Sequence, residues 1–280
     1  MSDTARKNLQ QLFLLGDYEI PLAETALWIA KTEYPDLEVE GYLERLDEWG
    51  DCVRQRLSDH ASVEEIMLTL NYFLFEELGF CPNEADYYDP RNSYLNEVMD
   101  RKTGIPLTLS IIYIEVGQRA GLHLEGVSFP GHYVVKFSLE SGGIVLDPYA
   151  GGVSLEESDL EDLLIQAYGD SGDVRPPLSH LLEAATSRDT LVRLLRNLKS
   201  IYMRNDDLQH ALSMVDLILI ADPGLSLEVR DRGQVYQKMN CFRAASDAYQ
   251  EYLDMEPEAD DFEEIRANMI QMQRKSTRLH

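Results

Sequence analysis

Few residues of this chain combine a reactive side chain with an informative position. The 280 residues include six histidines and three cysteines. The thiols, Cys52, Cys81 and Cys241, are far apart and match no metal-ligand spacing. No two histidines stand four residues apart, the spacing that puts a metal-binding pair on one helical face, so neither a metal nor a cofactor is expected. His60 and His210 are isolated, and His123 follows a helix end where it should be exposed. Cys81 sits in a loop rich in Asp and Tyr and reads as an ordinary loop thiol. That leaves His132, directly after Pro130-Gly131, and Asp147, directly before Pro148. An imidazole can accept or donate a proton near neutral pH, and a carboxylate can orient it. The plainer reading is a hydrogen-bonded structural histidine and an aspartate ending a strand in a turn, which Asp favours.

The elements that must position these groups lie between Asn92 and Gly152. Asn92–Asp100 reads as a short helix, and Lys102-Thr103-Gly104 turns the chain. Pro106 then opens an apolar helix to about Ala120, because proline's missing N–H has no helical partner at the first position anyway. Gly121 ends that helix. Three strand-like runs follow, Leu124–Phe129, His132–Phe137 and Ile144–Leu146, separated by the turn dipeptides Pro130-Gly131 and Gly142-Gly143. The unit is a helix followed by an antiparallel meander, with His132 starting its second strand and Asp147 ending its third. Ser110 lies one helical turn after Pro106 on the same face, whereas Thr108 points elsewhere. A helical serine commonly donates back to a backbone carbonyl.

This order resembles the core of the transglutaminase-like (papain-like) superfamily. The wording GIPLTLSIIY, FPGHYVVKF and LDPYAGG resembles more specifically the SirB family, in which such a domain carries tetratricopeptide repeats. The resemblance covers two-thirds or more of the chain. It implies a catalytic arrangement of Cys at a helix N-terminus, His on the next strand pair and Asp on the following strand. His132 and Asp147 fall on the His and Asp positions. The Cys position is held by Pro106, which has no nucleophilic atom. Ser110 falls on a small packing residue of the family pattern.

Composition narrows the alternatives. Fifty acidic residues against 25 basic ones give a formal net charge of −25. Such a chain repels phosphate backbones, and no Lys/Arg cluster offsets that repulsion, so nucleic acid is not an expected partner. No apolar run is long enough to span a membrane. The low, odd cysteine count and the lack of a secretory h-region at the start point to a cytoplasmic protein.

Before residue 85 the apolar positions recur at three- and four-residue spacing, which predicts a run of helices. Ser62-Val63-Glu64-Glu65 has the capping-box pattern ahead of a helix over Ile66–Leu78. Ser154-Leu155-Glu156-Glu157 is expected to cap another, about Glu156–Tyr168. Gly169 to His180, with two glycines and Pro176-Pro177, reads as a linker. The domains are therefore expected at 1–175, with its core at 92–152, and at 176–280.

In the second domain Tyr202, Ala211 and Pro223 recur as Tyr236, Ala245 and Pro257, each 34 residues on. That is the tetratricopeptide period, one helix-turn-helix per repeat. The repeats are placed at about 192–225 and 226–259, with a capping helix at 260–275. Gly233 is the small residue that lets the two helices of a repeat approach; Lys199 takes its place in the first repeat.

The fold class that follows is α+β, mostly helical. Two functional readings remain. The first is a non-catalytic protein-binding or regulatory module whose partner is a protein or peptide held by the repeats. The second is an amide or ester hydrolase in which His132 and Asp147 serve Ser110 or another nucleophile.

Overall fold

The computed structural model describes residues 3–139, 142–169 and 176–278. The chain forms two compact units, 1–194 and 195–280. The boundary expected at 175/176 touches residues 170–175, which lie outside the described residues.

The first unit is organised around the helix Pro106–Arg119. Its residues from Pro106 to Gly117 are all buried, as expected for a helix apolar on every side. The helices Leu22–Ala30, Val39–Arg54 and Leu95–Arg101 pack around it, and on another side it meets the sheet. Gly117 allows that close approach, since a Cβ there would run into the Leu124 side chain.

The sheet is a four-stranded antiparallel meander: Leu124–Val127, Val134–Leu139, Gly142–Asp147 and Val153–Leu155, paired in chain order. Val135 sits opposite Leu146, and Asp147 opposite Val153. Val127, Val134 and Val145 pack with Leu160 and Leu164 of the helix Glu157–Tyr168. The first strand is further tied to the chain beyond that helix. Ala185 N donates to Gly126 O at 2.8 Å, and the Tyr133 and Thr190 hydroxyls are 2.7 Å apart. Tyr133 lies over Gly126 so closely that a Cβ at 126 would overlap its hydroxyl.

Four local expectations are corrected. Ser154 does not cap a helix: Ser154-Leu155 belongs to the fourth strand, and Glu156 is the N-cap, with Glu156 N donating to Asp159 Oδ2 at 2.8 Å. Three strand residues are too few for a two-residue alternation to stand out. His132 does not start a strand: its N–H closes a turn onto Phe129 O at 3.2 Å, and the strand begins at Val134. The helix over Ile66–Leu78 is α-helical only from Val63 to Asn71 and widens into a π-turn over Tyr72–Glu77. The Ser62/Glu65 capping box does form. Finally, Cys81 is in a two-residue strand, Cys81–Pro82, parallel to Thr103–Gly104. Cys81 N donates to Lys102 O and Asn83 N to Gly104 O.

The second unit is helical throughout its described residues. After the end of the helix Ser187–Arg204 come Leu208–Ala221, Ser226–Lys238, Phe242–Met255 and Phe262–Arg278. The breaks within the two helix pairs fall at Asp206 and Asn240, both left-handed at φ 58° and 34 residues apart. Each is followed by the same bond: Asp207 N to Tyr202 O and Cys241 N to Tyr236 O, both 2.9 Å. Equivalent residues therefore solve the same C-terminal problem, unsatisfied helix carbonyls, in the same way. Val229, Ala245, Tyr249, Tyr252 and Leu253 form a core with Ile265, Met269 and Met272 of the last helix. Gly233 lies against the Tyr249 ring, where a Cβ would come within 2.6 Å of it. At the equivalent position Lys199 instead sends its ammonium to Glu228 (2.5 Å) and Asp231 (2.7 Å).

Candidate functional site

His132 lies in the turn before the second strand and Asp147 ends the third, and the antiparallel pairing of those strands brings them together. His132 Nε2 and Asp147 Oδ2 are 2.9 Å apart, with side chains 12% and 9% exposed. The pair is thus nearly shielded from water, where a hydrogen bond to a carboxylate is stronger than on the surface. Nδ1 is the ring nitrogen left over, and the edge-on Tyr149 ring lies 6.0 Å from the imidazole.

Each partner is held from behind. Asp147 Oδ1 accepts from Tyr149 N at 2.9 Å, which starts the 3-10 turn Pro148–Ala150. The same turn is closed by Gly152 N donating to Asp147 O at 2.8 Å. Asn71, the last residue before the π-turn, donates from Nδ2 to Gly152 O (2.9 Å) and accepts from the Tyr113 hydroxyl (2.8 Å). Gly152 has φ +77°, and a Cβ there would overlap the Asn71 amide, so only glycine fits. The His132 turn is clamped by Arg193, whose guanidinium donates to His132 O (2.7 Å), Phe129 O (3.0 Å) and Ser128 Oγ (2.8 Å). Burial pulls the Arg193 pKa below its ordinary value. Tyr87 and Tyr149 shift upward because burial disfavours the phenolate.

The other sequence candidates do not converge on the imidazole. Pro106 is buried at the first position of its helix. Ser110 is fully buried, and its hydroxyl donates to Tyr133 O at 3.4 Å rather than to the ring of His132. Thr108 Oγ1 accepts from Ile105 N (3.1 Å) and donates to Asn92 O (2.7 Å), closing the helix N-terminus. Cys81 is exposed, with Sγ 3.7 Å from Thr103 Oγ1. Among the described residues no group of three or more His, Cys, Asp or Glu is placed to hold a metal ion. A cleft of ≈460 Å³ opens elsewhere in the unit, walled by Glu19, Glu115, Arg119, Glu125, Tyr133 and Thr190 among others, and neither His132 nor Asp147 lines it.

The profile of the transglutaminase-like superfamily matches residues 40–196, and a tetratricopeptide-repeat profile matches 198–269. The chain belongs to the transglutaminase-like superfamily. It is 34% identical over 269 residues to a UPF0162 protein of Xylella fastidiosa, covering 96% of each chain. It is 24% identical over 270 residues to protein SirB1 of Salmonella typhimurium, covering 95% of this chain and 99% of that one. A shorter stretch of 83 residues is 36% identical to F-box only protein 21 of Mus musculus, covering 30% of this chain and 13% of that protein. No solved structure matches it. The architecture is accordingly a transglutaminase-like domain followed by tetratricopeptide repeats in a SirB-like family. Among the described residues no helix is long and apolar enough to cross a membrane.

Asn71 and Arg193 had no signal in the sequence. Each reaches the site from far along the chain, and neither belongs to a motif. Tyr149 did have one, since it lies inside LDPYAGG.

Proposed function

We propose that this protein is a non-catalytic binding or regulatory module. Its transglutaminase-like domain keeps the His132–Asp147 pair as a rigid structural feature, and its repeats hold a protein or peptide partner. The observation that carries this reading is what the helix Pro106–Arg119 offers at its N-terminus. Pro106 offers no nucleophile there, Thr108 is engaged with Ile105 and Asn92, and Ser110 gives its proton to the Tyr133 carbonyl. An acyl-transfer site needs a nucleophile within hydrogen-bond reach of its base. Tetratricopeptide repeats generally mediate protein interactions, and their stacked helices leave a concave surface for that purpose. Three exposed free thiols, Cys52, Cys81 and Cys241, fit a reducing cytoplasm.

The test assays the purified chain with activated esters, peptide amides and glutamine substrates beside His132→Ala. The reading requires no turnover in either protein. Turnover lost in His132→Ala would replace it with the hydrolase reading. One observation favours that alternative: the Ser110 bond, at 3.4 Å, is long and weak, so its hydroxyl could be released towards the imidazole. Ser110→Ala distinguishes the two, since only a hydrolase using Ser110 would lose activity with it.

A further inference from the structure

Lys102 is half-buried and held unlike Lys199. It follows the helix Leu95–Arg101 as its C-cap, in the left-handed conformation at φ 57°. From there its side chain turns onto two aromatic rings. Nζ lies 4.1 Å from the Trp49 ring centroid and 4.6 Å from that of Phe80. The two rings meet edge-on at 5.7 Å, and both are buried. The ammonium makes no hydrogen bond or ion pair among the described residues, so ring faces alone replace its water. Lys199, by contrast, is neutralised by Glu228 and Asp231.

The charged groups facing Lys102 do not rescue its charge. Asp100 is engaged elsewhere, accepting from the Tyr42 hydroxyl and from Arg45, each at 2.6 Å. The Arg45 guanidinium also lies over the Trp49 ring, at 5.4 Å, so two cations share one ring. Burial first, and then Arg45, lower the Lys102 pKa to about 8, with Asp100 opposing. Cation–π attraction is modest and does not replace the lost hydration.

We propose that Lys102 is a covalent modification site, acylated by a small acyl phosphate. The neutral Nζ attacks the acyl carbon and a C–N bond forms. The bond from that carbon to the phosphate oxygen breaks, and phosphate leaves with the proton shed by nitrogen. The product is an uncharged amide, which removes the cation from over the two rings. It does so at the turn that leads through Thr103 and Gly104 into the helix Pro106–Arg119. A compact donor suits a half-buried amine; a bulky one would have to displace Trp49 or Phe80.

The test incubates the intact protein with acetyl phosphate from pH 7 to pH 10.5 and reads each lysine by mass spectrometry, with Lys102→Arg confirming the peptide assignment. With its pKa lowered to about 8, Lys102 is far more often neutral at pH 7.5 than an ordinary lysine, and weaker basicity takes back part of that advantage. Labelling at Lys102 should therefore outrun the exposed Lys238 by about tenfold at that pH, and should level off above pH 8 to 9 while Lys238 continues to climb. Labelling no faster than at Lys238, or a rate that climbs in step with it, overturns the proposal.

Discussion

The two units build their key positions in opposite ways. In the repeats, what matters is local: Asp206 and Asn240 share one backbone conformation, and each closes its helix with a bond only five residues back. Around His132 local turns are joined by partners distant in sequence. Asn71, Asp147, Gly152 and Arg193 meet only because the whole unit has folded. A periodic unit can therefore be altered one repeat at a time, with an internal control at the equivalent position. A site gathered across the chain has no such control, and a change in one supporting residue reaches the others.

The largest effect should come where the periodic unit is most crowded. Gly233→Val would force a branched side chain onto the Tyr249 ring and is expected to cost about 3 kcal/mol, as overpacked cores do. Thermal unfolding followed by circular dichroism checks it. A variant as stable as the parent would mean that the helices of this repeat can separate freely, and the comparison with Lys199 would lose its basis.

Next is the support behind Asp147. Asn71→Ala strands the Tyr113 hydroxyl and Gly152 carbonyl in a part-buried setting, at about 2 kcal/mol. It should also broaden or shift the His132 ring resonances in NMR, although the substitution lies 61 residues away in sequence. Unchanged resonances would show that the Asp147 turn holds itself and that the site is local.

Pro106→Cys should be milder. Freeing one N–H at the helix start costs only a fraction of about 1 kcal/mol. The new thiol is expected to be buried and so alkylated by iodoacetamide more slowly than exposed Cys52, Cys81 and Cys241. No transamidation or peptide cleavage should appear, because oxyanion donors and a substrate groove are as demanding as the nucleophile itself. Turnover by this single variant would show that the rest of a catalytic apparatus is intact.

The smallest effect sharpens the comparison most. Asp206→Gly and Asn240→Gly each relieve a left-handed residue, and each should stabilise by about 0.5 kcal/mol. The two gains should match. Unequal gains in chemical denaturation would mean that the repeats are equivalent in backbone only.

The contrast also sets what could be read from sequence. The 34-residue period and the Pro106 helix start were legible, because each rests on a spacing or on a residue with few backbone options, whereas the His132–Asp147 pairing was implied only by the resemblance to the transglutaminase-like superfamily. The fourth strand, with only Val153, Ser154 and Leu155, was too short to show alternation. The π-turn after Asn71 was not legible either, since nothing in the apolar pattern of Tyr72–Glu77 distinguishes it from α-helix. Ser110 was placed on the correct helix, but which acceptor its hydroxyl takes depends on the strand start at Val134, which the sequence misplaced by two residues. Arg193 lies in an ordinary amphipathic helix, and nothing marks it as the residue that clamps a turn some sixty residues earlier.

The stack of Gly126, Tyr133 and Thr190 imposes an order on evolutionary change. No side chain fits at 126 while the tyrosine ring lies over it, and the tyrosine's buried hydroxyl needs the threonine as its partner. Drift at these positions should therefore run one way. Thr190 can exchange for serine freely; Tyr133 can shorten only by giving up that partner; and 126 can gain a side chain only afterwards. Lineages of this fold with alanine at 126 should have a smaller residue at 133, and the reverse combination, alanine at 126 beneath an intact tyrosine, should not occur.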